Sequence, residues 1–151
     1  MNPTEMQLRR LMRYLKELSG VYRTAFSRYN VPENEFWIWY SLLLPDEELS
    51  QQDLCDIWSL PKQTVNTIVT RMVQKGYITL NVIPGTRNRK AIRLTEEGRA
   101  YGESFVEPVA EAEVRAFEQL SIKDRMAISG ILNRFLDALR KELANVEPSE
   151  T

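Results

Sequence analysis

Residues 49–98 read LSQQDLCDIWSLPKQTVNTIVTRMVQKGYITLNVIPGTRNRKAIRLTEEG, and a change of period inside this stretch decides the fold. Ser50 is a good helix N-cap, and Asp53 three residues on can return its hydrogen bond, which starts a short helix over about Ser50 to Trp58. Ser59-Leu60-Pro61 is a turn, with Pro61 where the first turn of a second helix tolerates proline. In that second helix Val65, Ile68, Val69, Met72 and Val73 recur at steps of three and four, while Lys62, Gln63, Thr64, Asn66, Thr67, Thr70 and Arg71 lie opposite. Gly76 stops it. The period then drops to two. Residues 77–82 and 91–94 predict two strands, joined by a turn over 84–90 that carries Arg87, Arg89 and Lys90. Thr95 caps the next helix, which enters through Glu96 and Glu97.

Outward from this stretch the chain is helical. Leu8, Leu11, Met12, Leu15, Leu18, Tyr22, Ala25, Phe26 and Tyr29 predict a long amphipathic helix from about Met6 to Tyr29, broken by Asn30-Val31-Pro32. A helix over about Glu33 to Leu44 is apolar almost all round, so it must be buried on most sides; Pro45-Asp46 ends it. On the other flank the helix after Thr95 is expected to reach about Leu120, with Pro108 as a kink. A last helix starts at Ser121 and carries Ile128, Ile131, Leu132, Phe135, Leu136, Leu139 and Leu143 on one side. The fold class is therefore mainly α with a small β-hairpin: a winged helix-turn-helix over 31–95 between long terminal helices at 1–30 and 96–145, with a polar tail at 146–151.

Composition narrows the function. The chain has 151 residues, 43% of them hydrophobic and 27% charged, the balance of one globular domain. No apolar run is long enough to span a membrane. The first residues lack the pattern of a secretory signal, and the single Cys55 permits no internal disulfide, so a cytoplasmic protein is expected. There is no histidine. That removes the commonest general base, the commonest metal ligand and every Ser–His or Cys–His pair. Neither an enzyme nor a metal or cofactor site is expected. Cys55 lies beside Asp53 and Asp56, which disfavour a thiolate, so it reads as a buried structural cysteine rather than a redox sensor.

Charge is segregated. The net charge is −1, yet no acid occurs from Pro61 to Thr95, where Lys62, Arg71, Lys75, Arg87, Arg89, Lys90 and Arg93 stand. A polyanion is the natural partner of such a segment. An α-helix fits the DNA major groove, and Gln63 and Asn66 carry amides able to pair with adenine. Lys62, Thr64, Thr67, Thr70 and Arg71 can reach phosphates or bases, and Arg87, Asn88, Arg89 and Lys90 can lie on the backbone or enter a minor groove. The alternative is a winged helix used only for protein contact.

Two segments resemble the MarR family of bacterial transcription regulators. Residues 49–78 resemble its helix-turn-helix, ending in QKGYI, and KAIRLTEEG at 90–98 resembles its wing-to-helix signature. One departure concerns the wing. Family members often carry an Asp close before a wing arginine, and Gly85-Thr86-Arg87-Asn88 stands there instead, so that either Arg87 or Arg89 matches that arginine. The resemblance implies a homodimer with interlocked termini that binds a pseudo-palindromic double-stranded operator. It further implies a repressor released by a small-molecule or stress signal. An aromatic or apolar effector would sit among Tyr14, Tyr22, Trp37 and Tyr40, residues whose spacing also suits plain core.

Overall fold

A computed structural model describes residues 2–44 and 47–147. It contains α1 (Pro3–Ser27), α2 (Glu33–Leu43), α3 (Gln51–Trp58), α4 (Lys62–Gln74), β1 (Ile78–Val82), β2 (Lys90–Leu94), α5 (Glu96–Phe117) and α6 (Ile122–Ala144). The expected stop at Pro45-Asp46, and the tail beyond residue 147, lie outside the described residues. The chain divides into two units, Met1–Val109 and Ala110–Thr151.

In the first unit α2 is the pillar. Phe36, Ile38 and Trp39 are fully buried, as a helix apolar on all sides requires. Phe26 of α1 stacks on Phe36 with ring centroids 3.9 Å apart, and Trp39 meets Tyr77, Tyr101 and Phe105 edge-on. Leu54 of α3, Val65 and Val69 of α4, Ile78 of β1 and Val106 of α5 complete this core. The indole N–H of Trp58 donates to the buried hydroxyl of Ser41 at 2.6 Å, which satisfies both groups.

Element ends follow local signals. The box expected at Ser50 forms: Asp53 N–H donates to Ser50 Oγ at 3.3 Å and Ser50 N–H donates to Asp53 Oδ2 at 2.8 Å. Ser59 closes α3 in the left-handed region at φ 51. Gly76, at φ 74, closes α4, with Tyr77 N–H donating to the Met72 carbonyl and Gly76 N–H to that of Val73. This is a Schellman stop. Three boundaries differ from expectation. α1 begins at Pro3, not Met6, because Asn2 and Glu5 form a capping box ahead of a proline at the first helical position. It ends at Ser27, before Asn30 turns left-handed at φ 53. α5 stops at Phe117, short of Leu120, and runs through Pro108.

The hairpin pairs Ile78 with Leu94 and Val82 with Lys90. A piece that the period did not reveal joins it: Leu49 bridges Ile92, whose N–H donates to the Leu49 carbonyl at 2.8 Å.

Each unit leaves apolar surface bare. α1 buries Phe26, but Met6, Leu8, Met12, Leu15, Leu18 and Val21 are exposed. In the second unit α6 has no buried residue, and Ile128, Ile131, Leu136 and Leu143 are exposed. No helix among the described residues is long and apolar enough to cross a membrane.

The joint between α4, the hairpin and α5 is a knot of hydrogen bonds. Thr95 Oγ1 lies 2.7 Å from the Gly76 carbonyl and 3.1 Å from that of Tyr77, and it accepts from Gly98 N–H at 3.0 Å. Gly98 lies so near that a Cβ there would fall 1.9 Å from the Tyr77 carbonyl oxygen. Backbone cannot yield as a flexible side chain can, so Gly98→Ala is expected to destabilise the fold by about 2–4 kcal/mol. Denaturant unfolding checks this, and a change under ~0.5 kcal/mol would show that the joint relaxes freely.

Candidate nucleic-acid interface

α4 turns Val65, Ile68, Val69 and Met72 of its expected stripe into the core, while Val73 is exposed. Lys62, Gln63, Asn66, Thr67, Thr70 and Arg71 are exposed as expected, and Thr64 is half-buried. A groove of ≈ 480 Å³ between residues 32–35 and α4 brings Gln63, Thr64, Thr67 and Arg71 onto one surface. Gln63 and Asn66 are one turn apart on one face. They are not equivalent. The Asn66 amide oxygen accepts the Thr70 hydroxyl at 3.0 Å, while the Gln63 amide makes no hydrogen bond among the described residues. The Thr67 hydroxyl donates to the backbone carbonyl of Gln63 at 2.9 Å. Both threonine protons are thus spent within the helix, and the oxygens stay available as acceptors.

Arg87, Asn88, Arg89 and Lys90 are all exposed on the hairpin. Its turn is braced from within: Thr86 Oγ1 donates to the Ile83 carbonyl at 2.7 Å, and Ile83 N–H donates to the Arg89 carbonyl at 2.8 Å.

The acid-free segment is less positive in the fold than in the sequence. Three of its seven cations meet carboxylates from earlier helices and loops. Arg71 Nη1 lies 3.5 Å from Glu35 on α2, Arg89 Nη2 lies 2.5 Å from Asp53 on α3, and Arg93 pairs with Glu48. Lys62, Lys75, Arg87 and Lys90 make no ion pair among the described residues. These four supply the uncompensated charge. Glu35 also accepts from the Trp39 indole N–H at 3.4 Å, so a residue of the core orients the partner of Arg71. Sequence reasoning missed Glu35, Glu48 and Asp53 as members of this surface. They stand 36 to 45 positions from their arginines, and no local pattern carries such a pairing.

The four aromatic residues expected around an effector do not gather as a set. Tyr22, Trp37 and Tyr40 do, with centroids 5.0 Å apart for Tyr22–Trp37 and 5.4 Å for Trp37–Tyr40. Trp58, unanticipated, stacks on Trp37 at 4.6 Å. All four rings are partly buried and packed against the core. Tyr14 stands apart, exposed, with no ring contact among the described residues. Cys55 is buried, as expected of a structural cysteine.

Comparison with known proteins agrees with this geometry. Residues 42–87 match the family model described as MarR family. No curated protein sequence matches the chain. Among solved structures, the MarR family regulator NMB1585 of Neisseria meningitidis superposes with a TM-score of 0.81 at 24% identity, over 95% of this chain and 98% of that one. MepR of S. aureus in its DNA-binding conformation gives 0.70 at 19%, over 91% and 99%. BpsR of Bordetella bronchiseptica, whose DNA binding is regulated by 6-hydroxynicotinic acid, gives 0.65 at 19%, over 91% and 97%. The winged-helix fold expected from residues 49–98 is the fold these regulators share, and the resemblance to the MarR family holds.

The carboxyl of Asp53 feels opposing influences. Burial pushes its pKa up, but the Ser50 N–H, the Arg89 guanidinium and the Ser50 hydroxyl together hold it below the ordinary carboxylate value. A carboxyl depressed on folding adds stability that is present above its unfolded pKa and is lost as pH falls through the folded one. Asp53→Asn should therefore cost stability at neutral pH and progressively less in acid. Thermal melts across that range check it; a deficit that stays constant into strong acid would contradict the ionised pair.

Proposed function

We propose that this chain, carrying the winged helix of the MarR family, is a sequence-specific double-stranded DNA-binding transcriptional regulator. The observation that carries the reading is the exposed polar face of α4 beside an arginine-bearing hairpin, with four cations that have no carboxylate partner among the described residues. Gln63 and Asn66 read base edges in the major groove, while Lys62, Thr64, Thr67, Thr70 and Arg71 hold the helix in register. Arg87, Asn88, Arg89 and Lys90 lie on the backbone or in the flanking minor groove. The solution of MepR in a DNA-binding conformation supports the same use of the fold.

The test is a competition assay on an operator selected from a random pool and on scrambled DNA at one salt concentration. Gln63→Ala and Asn66→Ala should each cost about 1–3 kcal/mol on the operator and little on scrambled sequence. Because the Asn66 oxygen is already shared with Thr70, the larger loss is expected for Gln63. Unchanged ratios for both variants would remove these residues from the readout. Absence of any bound duplex would leave a protein-interaction module.

The regulator acts as a homodimer. The bare stripe of α1 and the bare α6 are apolar surfaces that a second copy would cover. Two recognition helices then read the two halves of a pseudo-palindrome. Sedimentation equilibrium should give twice the chain mass; a well-behaved monomer at micromolar concentration would end this reading.

Within the same reading the protein is a repressor released by a small-molecule or stress signal, as regulation of BpsR by 6-hydroxynicotinic acid illustrates for a protein of this fold. The half-buried rings of Tyr22, Trp37 and Tyr40 are the place proposed for an aromatic or apolar effector. Quenching of tryptophan emission together with DNA release is the readout, and release without quenching would place the effector elsewhere.

A further inference from the structure

We propose that Asp53 is the positioning residue of the wing, holding Arg89 to the start of α3 so that the rest of its guanidinium meets the DNA backbone. The inference rests on the DNA-binding reading above and assigns that surface a part outside both the recognition helix and the hairpin.

Three observations carry it. The first is the tether. Among the hydrogen bonds and ion pairs of the described residues, those of residues 83–90 stay inside the hairpin, apart from the contact between Arg89 and Asp53. The second is the geometry of that contact. Arg89 Nη2 lies 2.6 Å from Oδ1 and 2.5 Å from Oδ2, so one nitrogen spans both carboxylate oxygens. A guanidinium has five N–H donors. Nη1 and Nε, with three of them, have no partner among the described residues and can still serve phosphate.

The third is that Asp53 is itself fixed. Its Oδ2 accepts from Ser50 N–H at 2.8 Å and from Ser50 Oγ at 2.9 Å. Next to Ser50, the Leu49 carbonyl takes the N–H of Ile92 at 2.8 Å. The middle of the hairpin's second strand and the turn end at Arg89 are therefore both referenced to residues 49–53. A wing held in place before DNA arrives loses less freedom on binding. Arg87, two positions away, makes no such pair, which leaves Arg89 as the held cation of residues 83–90 among the described residues.

The sign of the effect separates this role from simple electrostatics. Deleting an acid beside a polyanion site ordinarily strengthens binding. Positioning predicts the reverse. Asp53→Asn should weaken affinity for a mixed-sequence duplex about threefold to tenfold, the cost of ordering one long side chain. In an Arg89→Ala background the same change should cost nothing more, because its target is gone. Asp53→Glu, which keeps the charge and supplies the usual capping-box partner, should bind within about twofold of wild type. Ser50→Ala controls for the cap: it removes the hydroxyl that caps α3 and touches Asp53, but leaves the Ser50 N–H bond to Asp53 and the ion pair with Arg89. All variants are compared by titration at one salt concentration, below their melting temperatures.

Tighter or unchanged binding by Asp53→Asn would overturn the proposal, as would additive losses with Arg89→Ala. An equal loss in Ser50→Ala would also overturn it by assigning the effect to the cap. If the wild-type chain binds no duplex, the DNA-binding reading falls and takes this proposal with it. If it binds and Asp53→Asn matches it, only the positioning role falls.

Discussion

One threonine hydroxyl ties together the parts that must keep fixed relative positions. Thr95 Oγ1 reaches the carbonyls exposed where α4 unwinds and also accepts the Gly98 N–H in the first turn of α5. α4, the base of the hairpin and α5 meet at this point. Gly98 makes the meeting possible, because any Cβ there would strike the Tyr77 backbone. The short signature LTEEG thus has a physical content. Leu94 closes the β-ladder against Ile78, the threonine caps, the two glutamates suit the positive end of the helix, and the glycine admits the neighbouring chain.

The second theme is charge held on a leash. A stretch without acids looks like an open positive face, but the fold returns acids to it at three places. Two of the three carboxylates are themselves held by other groups. Glu35 rises from the buried α2, and Asp53 is gripped by a helix cap. Exposed pairs of this kind add little to stability. Their effect is to restrict where long side chains point. The four cations without an ion pair among the described residues leave their charge uncompensated, and the three paired arginines have part of theirs offset.

Much of this was legible in the sequence. Period, caps and stop signals placed the helices and the hairpin, because each depends on residues within a few positions of one another. The capping box at Ser50 and the stop at Gly76 are of this kind; the box at Asn2 is an equally local signal, Asn-Pro-Thr-Glu, which a start at Met6 passes over. The exposed face of α4 followed from its apolar stripe. What could not be read was long-range: the Leu49 strand piece, the approach of Gly98 to Tyr77, Trp58 joining the aromatic cluster, and the three acids behind the arginines. These depend on how elements dock, and spacing along the chain does not encode that. The acid beside Arg89 shows the point well, since it comes from α3 and not from the hairpin.

The way α1 begins has a consequence for assembly. Its capping box and its proline at the first helical position set the helix going from Asn2, well ahead of the turn that buries Phe26. The helix is 25 residues long, beyond the length at which an isolated helix is marginal in water. The exposed stripe from Met6 to Val21 is thus presented on a rod whose shape is set by local forces. Whatever covers that stripe meets a surface already in its final form. Association on this formed helix would be rigid docking, without the ordering cost that a segment folding on contact must bear. Its heat-capacity change should reflect only the apolar area removed from water, with no added contribution from helix formation.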